Sequence, residues 1–329
     1  MVTTVPDTTG FIHAALVVSD DADLRAVLAP ELRRSAAAYD EVLLVVGDRT
    51  RALLTERDPG VATAVSWADP GAFYQRLGSA YDRFRRYLAD RHRAGQRVHV
   101  IAEPAVAGDV CPGSGADRAA AYLAYESVCN ETYAFGPSAV TCVWDSRRHR
   151  DSVIDSVRDA HPHVLTASGP APWPHYLPPE RYLAERPEPP MPPPPAQVAH
   201  DITLHDVADL SAVRSVLGVW AGTHGFGTEA TEDILVAVIE VATNGLRHGG
   251  APVRLRAWAH ADTLVAQCDD AGSGAIPAAA GYHRPDPLAS VAGGRGLWLA
   301  RQLADVVTVS ARPGCTSVRL YFPRHIMQP

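Results

Sequence analysis

The chain has 329 residues, a formal net charge of −7 and 47 % hydrophobic residues, and its 30 lysine-plus-arginine positions are all arginine. The absence of an ε-amine excludes the Walker A phosphate loop, the strand lysine of eukaryotic-type protein kinases and Schiff-base chemistry. The length favours two domains, and a negative charge without a basic run speaks against nucleic acid as a direct partner.

Before residue 166, short apolar runs alternate with longer helical patterns. Strands are expected at Phe11–Val18, Val42–Val46, Val61–Ser66, Val98–Ala102 and Ala139–Trp144, and helices at Leu24–Ala38, Ala72–Arg93, Ala116–Tyr133 and Ser152–Ala160. This order predicts an α/β domain with a mostly parallel sheet and helices on both faces. Acidic residues close three strands, at Asp48, Glu103 and Asp145, where α/β proteins place a ligand crevice. Five widely spaced cysteines without a Cys-x-x-Cys pair signal neither a disulfide framework nor a zinc site. With no apolar leader and no run of about 18 apolar residues, a cytoplasmic protein without a membrane span is expected.

Twelve of the 27 prolines fall between Pro170 and Pro195. Neither a helix nor a central strand tolerates that density. Residues 166–200 therefore read as a linker between domains at 10–165 and 201–323. Beyond it, helices are expected at Leu210–Thr223 and Thr231–Leu246, then strands at Val253–Ala259 and Leu264–Asp269. A helix at Leu297–Ala304 and strands at Val306–Ser310 and Thr316–Tyr321 complete the order of a two-layer α/β sandwich.

Three pieces of this second domain carry chemistry. Four-residue steps put Glu240, Asn244 and His248 nearly one above another on one helical face, about 6 Å apart per step. Asn244 is one of only two asparagines. The strand ending at Asp269 runs into Asp270-Ala-Gly272-Ser-Gly274, where a buried carboxylate can accept from an amino group and glycines let the backbone approach a flat ring. Gly293-Gly294-Arg295-Gly296 opens the next helix, exposing backbone amides that hold phosphate without lysine. Taken singly, these are also compatible with a solvated helix face, a strand turn and a helix start; in this order they point to a nucleotide site.

On these motifs, residues from about Leu210 to Phe322 resemble the GHKL ATPase superfamily of gyrase, heat-shock chaperone, histidine kinase and mismatch-repair proteins. The short first helix running directly into Glu240-x-x-x-Asn244-x-x-x-His248 resembles its anti-sigma-factor serine/threonine kinase branch. The resemblance implies a Bergerat-type sandwich that binds ATP and Mg2+. Glu240 is then the general base or water-orienting residue, Asn244 the magnesium ligand and Asp270 the adenine contact. Gly272, Gly274, Gly294, Gly296, Leu297 and His248 line the nucleotide, under a lid at Ala275–Val291. In that branch an arginine often precedes the second Gly-x-Gly by two residues; here it is Ala292, which leaves Arg295 or Arg284 to reach the terminal phosphate.

Residues 10–165 resemble, more loosely, the MEDS sensory domain found in RsbA-type anti-sigma regulators. The likeness rests on His13, Val100 to Pro104, Tyr125-Glu126 with Asn130, Cys142 to Asp145, and Ala160-His161-Pro162. It implies sensing of a small organic molecule, with His13, Glu103, Cys142, Asp145 and His161 gathered at the strand ends, although each alone fits a structural hydrogen bond. Their spacing gives no support for a metal site. Together the two resemblances imply an ATP-dependent kinase that regulates sigma-factor-dependent transcription, with a sigma factor or an anti-sigma-factor antagonist as partner and a homodimer as its assembly. The alternatives are an ATP-binding partner switch without turnover and an atypical histidine-kinase-like protein.

Overall fold

The computed structural model describes residues 10–56, 60, 64–106, 116–186, 191–272, 276–285 and 295–327. It divides into two units, residues 1–74, 80–107 and 122–186, and residues 75–79, 108–121 and 187–329. In the N-terminal half the elements are β1 (Ile12–Val18), α1 (Asp21–Ala38), β2 (Glu41–Val45), α2 (Asp48–Thr55), β3 (Ser66–Ala68), α3 (Pro70–Phe73) and α4 (Leu77–Arg93). They continue with β4 (Val98–Ala102), α5 (Arg118–Thr132), β5 (Ala139–Asp145), α6 (Asp151–Ala160), β6 (His163–Thr166), β7 (Gly169–Pro172) and α7 (Pro179–Glu185).

The strands form one sheet in the order β3-β2-β4-β5-β1-β6-β7, parallel except for the antiparallel β6–β7 pair. Every residue of β4 and β5 is buried, as central parallel strands covered on both faces must be. His99 of β4 meets Ser35 of α1 on one face, while His13 of β1 meets Asn130 of α5 on the other. Helices on both faces were expected, and the structure has them. α1 starts earlier than its apolar pattern because the Asp20 side chain accepts from the amides of Ala22 and Asp23, both at 2.8 Å.

The stretch expected as a proline-rich linker carries structure of its own. Pro170 and Pro172 lie in β7, at the sheet's edge, where the missing N–H faces no partner strand. Pro178 and Pro179 start α7, where a fixed φ suits the first turn. The expected strand Val61–Ser66 falls partly outside the described residues; the observed strand is Ser66–Ala68. The expected helix Ala72–Arg93 is interrupted at Tyr74, which leaves helical dihedrals and buries its ring.

The C-terminal half holds β8 (His200–Leu204), α8 (Leu210–Thr223), α9 (Thr228–Asn244), β9 (Val253–His260) and β10 (Thr263–Asp270). After these come α10 (Arg295–Leu303), β11 (Val306–Arg312), β12 (Cys315–Pro323) and α11 (Arg324–Met327). Its sheet is antiparallel throughout, in the order β11-β12-β10-β9-β8. Val253, Leu255 and Ala257 of β9 and Leu264, Ala266 and Cys268 of β10 face inward, packing with α8, α9 and α10 into one core. This is the expected two-layer sandwich. The opposite face is polar: Arg319 donates to Gln267 Oε1 at 2.8 Å and to the Pro192 carbonyl at 2.6 Å, so the end of the proline run lies along it. Among the described residues no helix is long and apolar enough to cross a membrane.

Candidate functional site

Chemistry in the second unit gathers where the end of α9 meets the end of β10 and the start of α10. Ile234, Ala237, Val238, Val241 and Ala242 recur at helical spacing and bury one face of α9. Glu240 and Asn244, one turn apart, are half-buried beside that face. Past Asn244 the helix widens into a π-helical turn over Gly245–Gly249, in which the Gly250 amide donates to the Gly245 carbonyl at 3.0 Å. Such turns are frequent at functional sites. The regular row expected for Glu240, Asn244 and His248 therefore changes pitch at its last member, yet Asn244 and His248 line one pocket.

Asp270 sits in the same pocket. Strand alternation sends its neighbour Asp269 to the outer face, where it accepts from Gln267 Nε2 (2.6 Å) and Ser317 Oγ (2.5 Å) and pairs with Arg256 (2.5 Å). Asp270 turns inward and accepts from the Gly272 amide at 2.8 Å. Backbone walls it in on the other sides. A methyl at Gly272 would lie 2.6 Å from its Oδ1, one at Gly245 3.4 Å from its Oδ2, and one at Gly249 would overlap the carboxyl group. Burial raises the Asp270 carboxyl above its ordinary range, the Asp269 charge adds to this, and the Gly272 hydrogen bond opposes it.

Val241, Ile276, Pro277, Leu297 and Val318 give the pocket apolar walls around a volume of about 240 Å³. That is small among ligand pockets and suits a flat heterocycle better than a whole nucleotide. Alongside it, α10 opens with Arg295-Gly296. A methyl at Gly296 would lie 2.6 Å from Asn244 Nδ2 and 2.9 Å from Glu240 Oε2, so the helix start comes up against that carboxylate and amide, and a side chain there would make both shift. Arg295 is exposed at the first residue of α10. Gly274, Gly294 and Ala292 lie outside the described residues. Of the expected lid, residues 276–285 are described: Gly281, at φ +76°, packs on the Leu297 backbone, and the Arg284 guanidinium lies 5.8 Å from the Trp298 ring centre. Gly249→Ala is expected to push the Asp270 carboxyl out of its niche and to weaken ligand binding about as much as removing it, measurable by titration calorimetry.

In the first unit the five expected sensory residues do not form one group. His13 of β1, Cys142 of β5 and His161 beyond α6 come together: all three are buried, with ligating atoms within 4.8 Å of one another. Glu103 and Asp145 lie apart from them. Asp145 is three residues beyond Cys142 on the same strand, so alternation turns it to the other face. There it forms a two-pronged pair with Arg147, at 2.8 Å and 2.7 Å, which pulls its carboxyl down to about 2. Glu103 accepts from Thr50 Oγ1 at 2.8 Å and pairs with Arg148 at 3.3 Å. Because the Asp145 carboxyl is lowered, its stabilising contribution is complete above the unfolded value near 4 and lost as pH falls toward about 2. Asp145→Asn is therefore expected to flatten the acid limb of thermal stability between those values, read by calorimetry across pH.

One residue of the buried group is absent from the sequence-based candidates. Glu126 of α5 places Oε2 3.4 Å from His161 Nε2, both residues are buried, and among the described residues neither Glu126 oxygen nor that nitrogen completes a hydrogen bond of good geometry, although the Cys142 thiol and the Trp144 indole lie close enough to oppose the effect of burial on the carboxyl. Burial pushes the Glu126 carboxyl up to about 8 and the Cys142 thiol up, holds His13 down at about 4, and takes His161 well below its usual value. The available signal was Asn130, the chain's other asparagine, one turn from Glu126. Its amide NH2 donates to the carbonyls of Ser127 and Ala160, both at 2.9 Å, which leaves its oxygen, 2.9 Å from His13 Nδ1, to accept.

Two family models match the chain: the histidine kinase-like ATPase domain over residues 204–322, and MEDS, the methanogen/methylotroph DcmR sensory domain, over residues 12–162. Among solved structures it is similar to the RsbU and RsbW domains of Rv1364c from Mycobacterium tuberculosis, at 22 % identity over 37 % of this chain and 31 % of that one, with a TM-score of 0.29. It is also similar to the histidine kinase domain of the E. coli osmosensor EnvZ, at 18 % identity over 40 % of this chain and 92 % of that one, with a TM-score of 0.23. The chain thus spans less than a third of the first of these structures. No protein of curated function matches it. Residues 12–162 belong to the MEDS family and residues 204–322 to the histidine kinase-like ATPase family.

Proposed function

We propose that the C-terminal domain binds ATP with Mg2+ and transfers the terminal phosphoryl group to a serine or threonine of an anti-sigma-factor antagonist. In this reading the same domain holds a sigma factor, and the MEDS domain sets the outcome through a small organic ligand in the cytoplasm. The observation that carries it is Asp270, a carboxylate without a cation partner among the described residues, walled by Gly245, Gly249 and Gly272 in an apolar pocket. Beyond the Gly272 amide it has no partner to hold, and its remaining lone pairs can accept from the amino group of an adenine.

The remaining residues fit the phosphate end. Asn244 offers a hard amide oxygen beside the Glu240 carboxylate, the donor type that Mg2+ takes. When bound, that ion neutralises phosphate charge. Glu240 accepts the proton of the attacking hydroxyl, and the amides of Arg295 and Gly296 meet phosphate at the positive end of α10, with Gly294 added to that set by sequence. Gly274 belongs to the same nucleotide-lining set by sequence. Arg295, Arg284 and His248 are the cations that stand in for lysine.

A second reading, a nucleotide-dependent switch without turnover, draws support from Ala292 in an arginine position and from Arg284 being stacked on Trp298. Incubation with labelled ATP, Mg2+ and candidate antagonists separates the two. Label transfer that vanishes in Glu240→Ala supports the kinase. ATP binding with no transfer to any partner favours the switch, and no ATP binding overturns both.

A further inference from the structure

The buried group in the MEDS domain brings three metal-ligating atoms, of His13, Cys142 and His161, within 4.8 Å of one another, and it stands independently of the nucleotide reading. His13 and Cys142 project from neighbouring strands on one sheet face, with Nε2 and Sγ 3.5 Å apart. His161 Nε2 and Glu126 Oε2 approach to 3.4 Å from the elements packed over them. A tetrahedral zinc ion with nitrogen or oxygen ligands at about 2.05 Å and sulfur at about 2.3 Å would set those two edges at about 3.6 Å and about 3.4 Å.

The proton positions agree. Asn130 Oδ1 and the Val157 carbonyl, at 2.9 Å and 2.6 Å, can only accept, so the Nδ1 atoms of His13 and His161 carry the hydrogens and both Nε2 lone pairs are bare. These are also the outer-sphere contacts that orient metal-binding histidines. Among the described residues His161 Nε2 and both Glu126 oxygens complete no hydrogen bond, and His13 Nε2 has only the weak Cys142 thiol at 3.5 Å; burying such acceptors is costly, and a cation would satisfy them together.

We propose that His13, Cys142 and His161 hold a divalent transition-metal ion of the zinc class, and that the Glu126 carboxyl, against His161, turns in as the fourth ligand when the ion binds. Binding releases the Cys142 thiol proton and the Glu126 carboxyl proton to solvent. The resulting thiolate and carboxylate balance the double charge of the ion, and the two imidazoles bind neutral, so the filled site adds no net charge to the interior. Two nitrogens with one sulfur and one oxygen favour zinc over the hard cations magnesium and calcium.

The test uses the full chain, stripped with a chelator and titrated with Co2+. One equivalent should give intense visible bands of a tetrahedral ion and a near-ultraviolet thiolate charge-transfer band, with zinc displacing it. Cys142→Ser should lose the charge-transfer band. Asn130→Ala, which frees a positioning contact, should keep the band and weaken affinity about ten- to a hundredfold. X-ray absorption at the cobalt edge on the unsubstituted chain should show one sulfur and imidazole scattering, which keeps the test independent of how the variants fold. A folded chain that takes up neither Co2+ nor Zn2+, a first shell without sulfur, or a charge-transfer band that survives in folded Cys142→Ser would overturn the proposal.

Discussion

Asp270→Ala is expected to weaken ATP binding by about ten- to a hundredfold, the range set by losing one hydrogen bond to an ionised group. The same change should leave the fold intact and raise Tm slightly at neutral pH. The two expectations share one cause. Asp270 pairs with no cation among the described residues, and burial lifts its carboxyl above the ordinary range, so holding it charged costs folding free energy. Its neighbour Asp269 behaves oppositely: it is held by Arg256, Gln267 and Ser317, and Asp269→Ala should destabilise the domain by stranding those partners. Asp270→Asn sharpens the test, because an amide can turn an NH2 toward the ligand and accommodate a carbonyl in place of an amino group. Calorimetry with ATP and GTP should show the preference for ATP narrowing in Asp270→Asn. An unchanged ATP affinity in Asp270→Ala would remove the carboxylate from nucleotide recognition altogether.

The contrast between these aspartates shows what was legible in the sequence. Strand alternation and the following glycines mark Asp270 as the inward one from residue order alone, and the α9, β10 and α10 pieces were placed within a few residues of where they lie. The π-helical turn was not legible, because its five residues Gly-Leu-Arg-His-Gly suit an ordinary helix end equally well. Nor was β8, whose His-Asp-Ile-Thr-Leu buries only Leu204 fully and becomes a strand by pairing with β9. Proline density did not reveal the short elements inside the stretch for a physical reason: an edge strand and a helix start accept proline as readily as a linker does. In the first unit, His13, Cys142 and His161 could be singled out by residue type. Which of five candidates meet depends on strand register and on which face each side chain takes, and those are tertiary facts. Rarity in composition pointed at Asn244 and applied equally to Asn130, which orients His13.

Glu240→Gln is expected to lower phosphoryl transfer by about a hundred- to ten-thousandfold, the usual loss when a positioned base is removed, while leaving ATP binding within a factor of a few. The carboxylate stands beside the start of α10 and is not part of the lining of the Asp270 pocket, so the proposed base and the proposed adenine contact are separable. Gly296→Ala tests the same arrangement from the opposite wall. Its added methyl would meet Asn244 Nδ2 at 2.6 Å and Glu240 Oε2 at 2.9 Å, so both side chains must shift together. Where Glu240→Gln should lose turnover at every Mg2+ concentration, Gly296→Ala should also demand more Mg2+ for ATP binding, since Asn244 moves with it. Single-turnover transfer to a cognate antagonist, followed alongside Mg2+-dependent binding, distinguishes the two patterns. If Glu240→Gln transfers phosphate at the parent rate, Glu240 is not the base, and the next candidate for activating the hydroxyl becomes His248, which lines the Asp270 pocket together with Asn244.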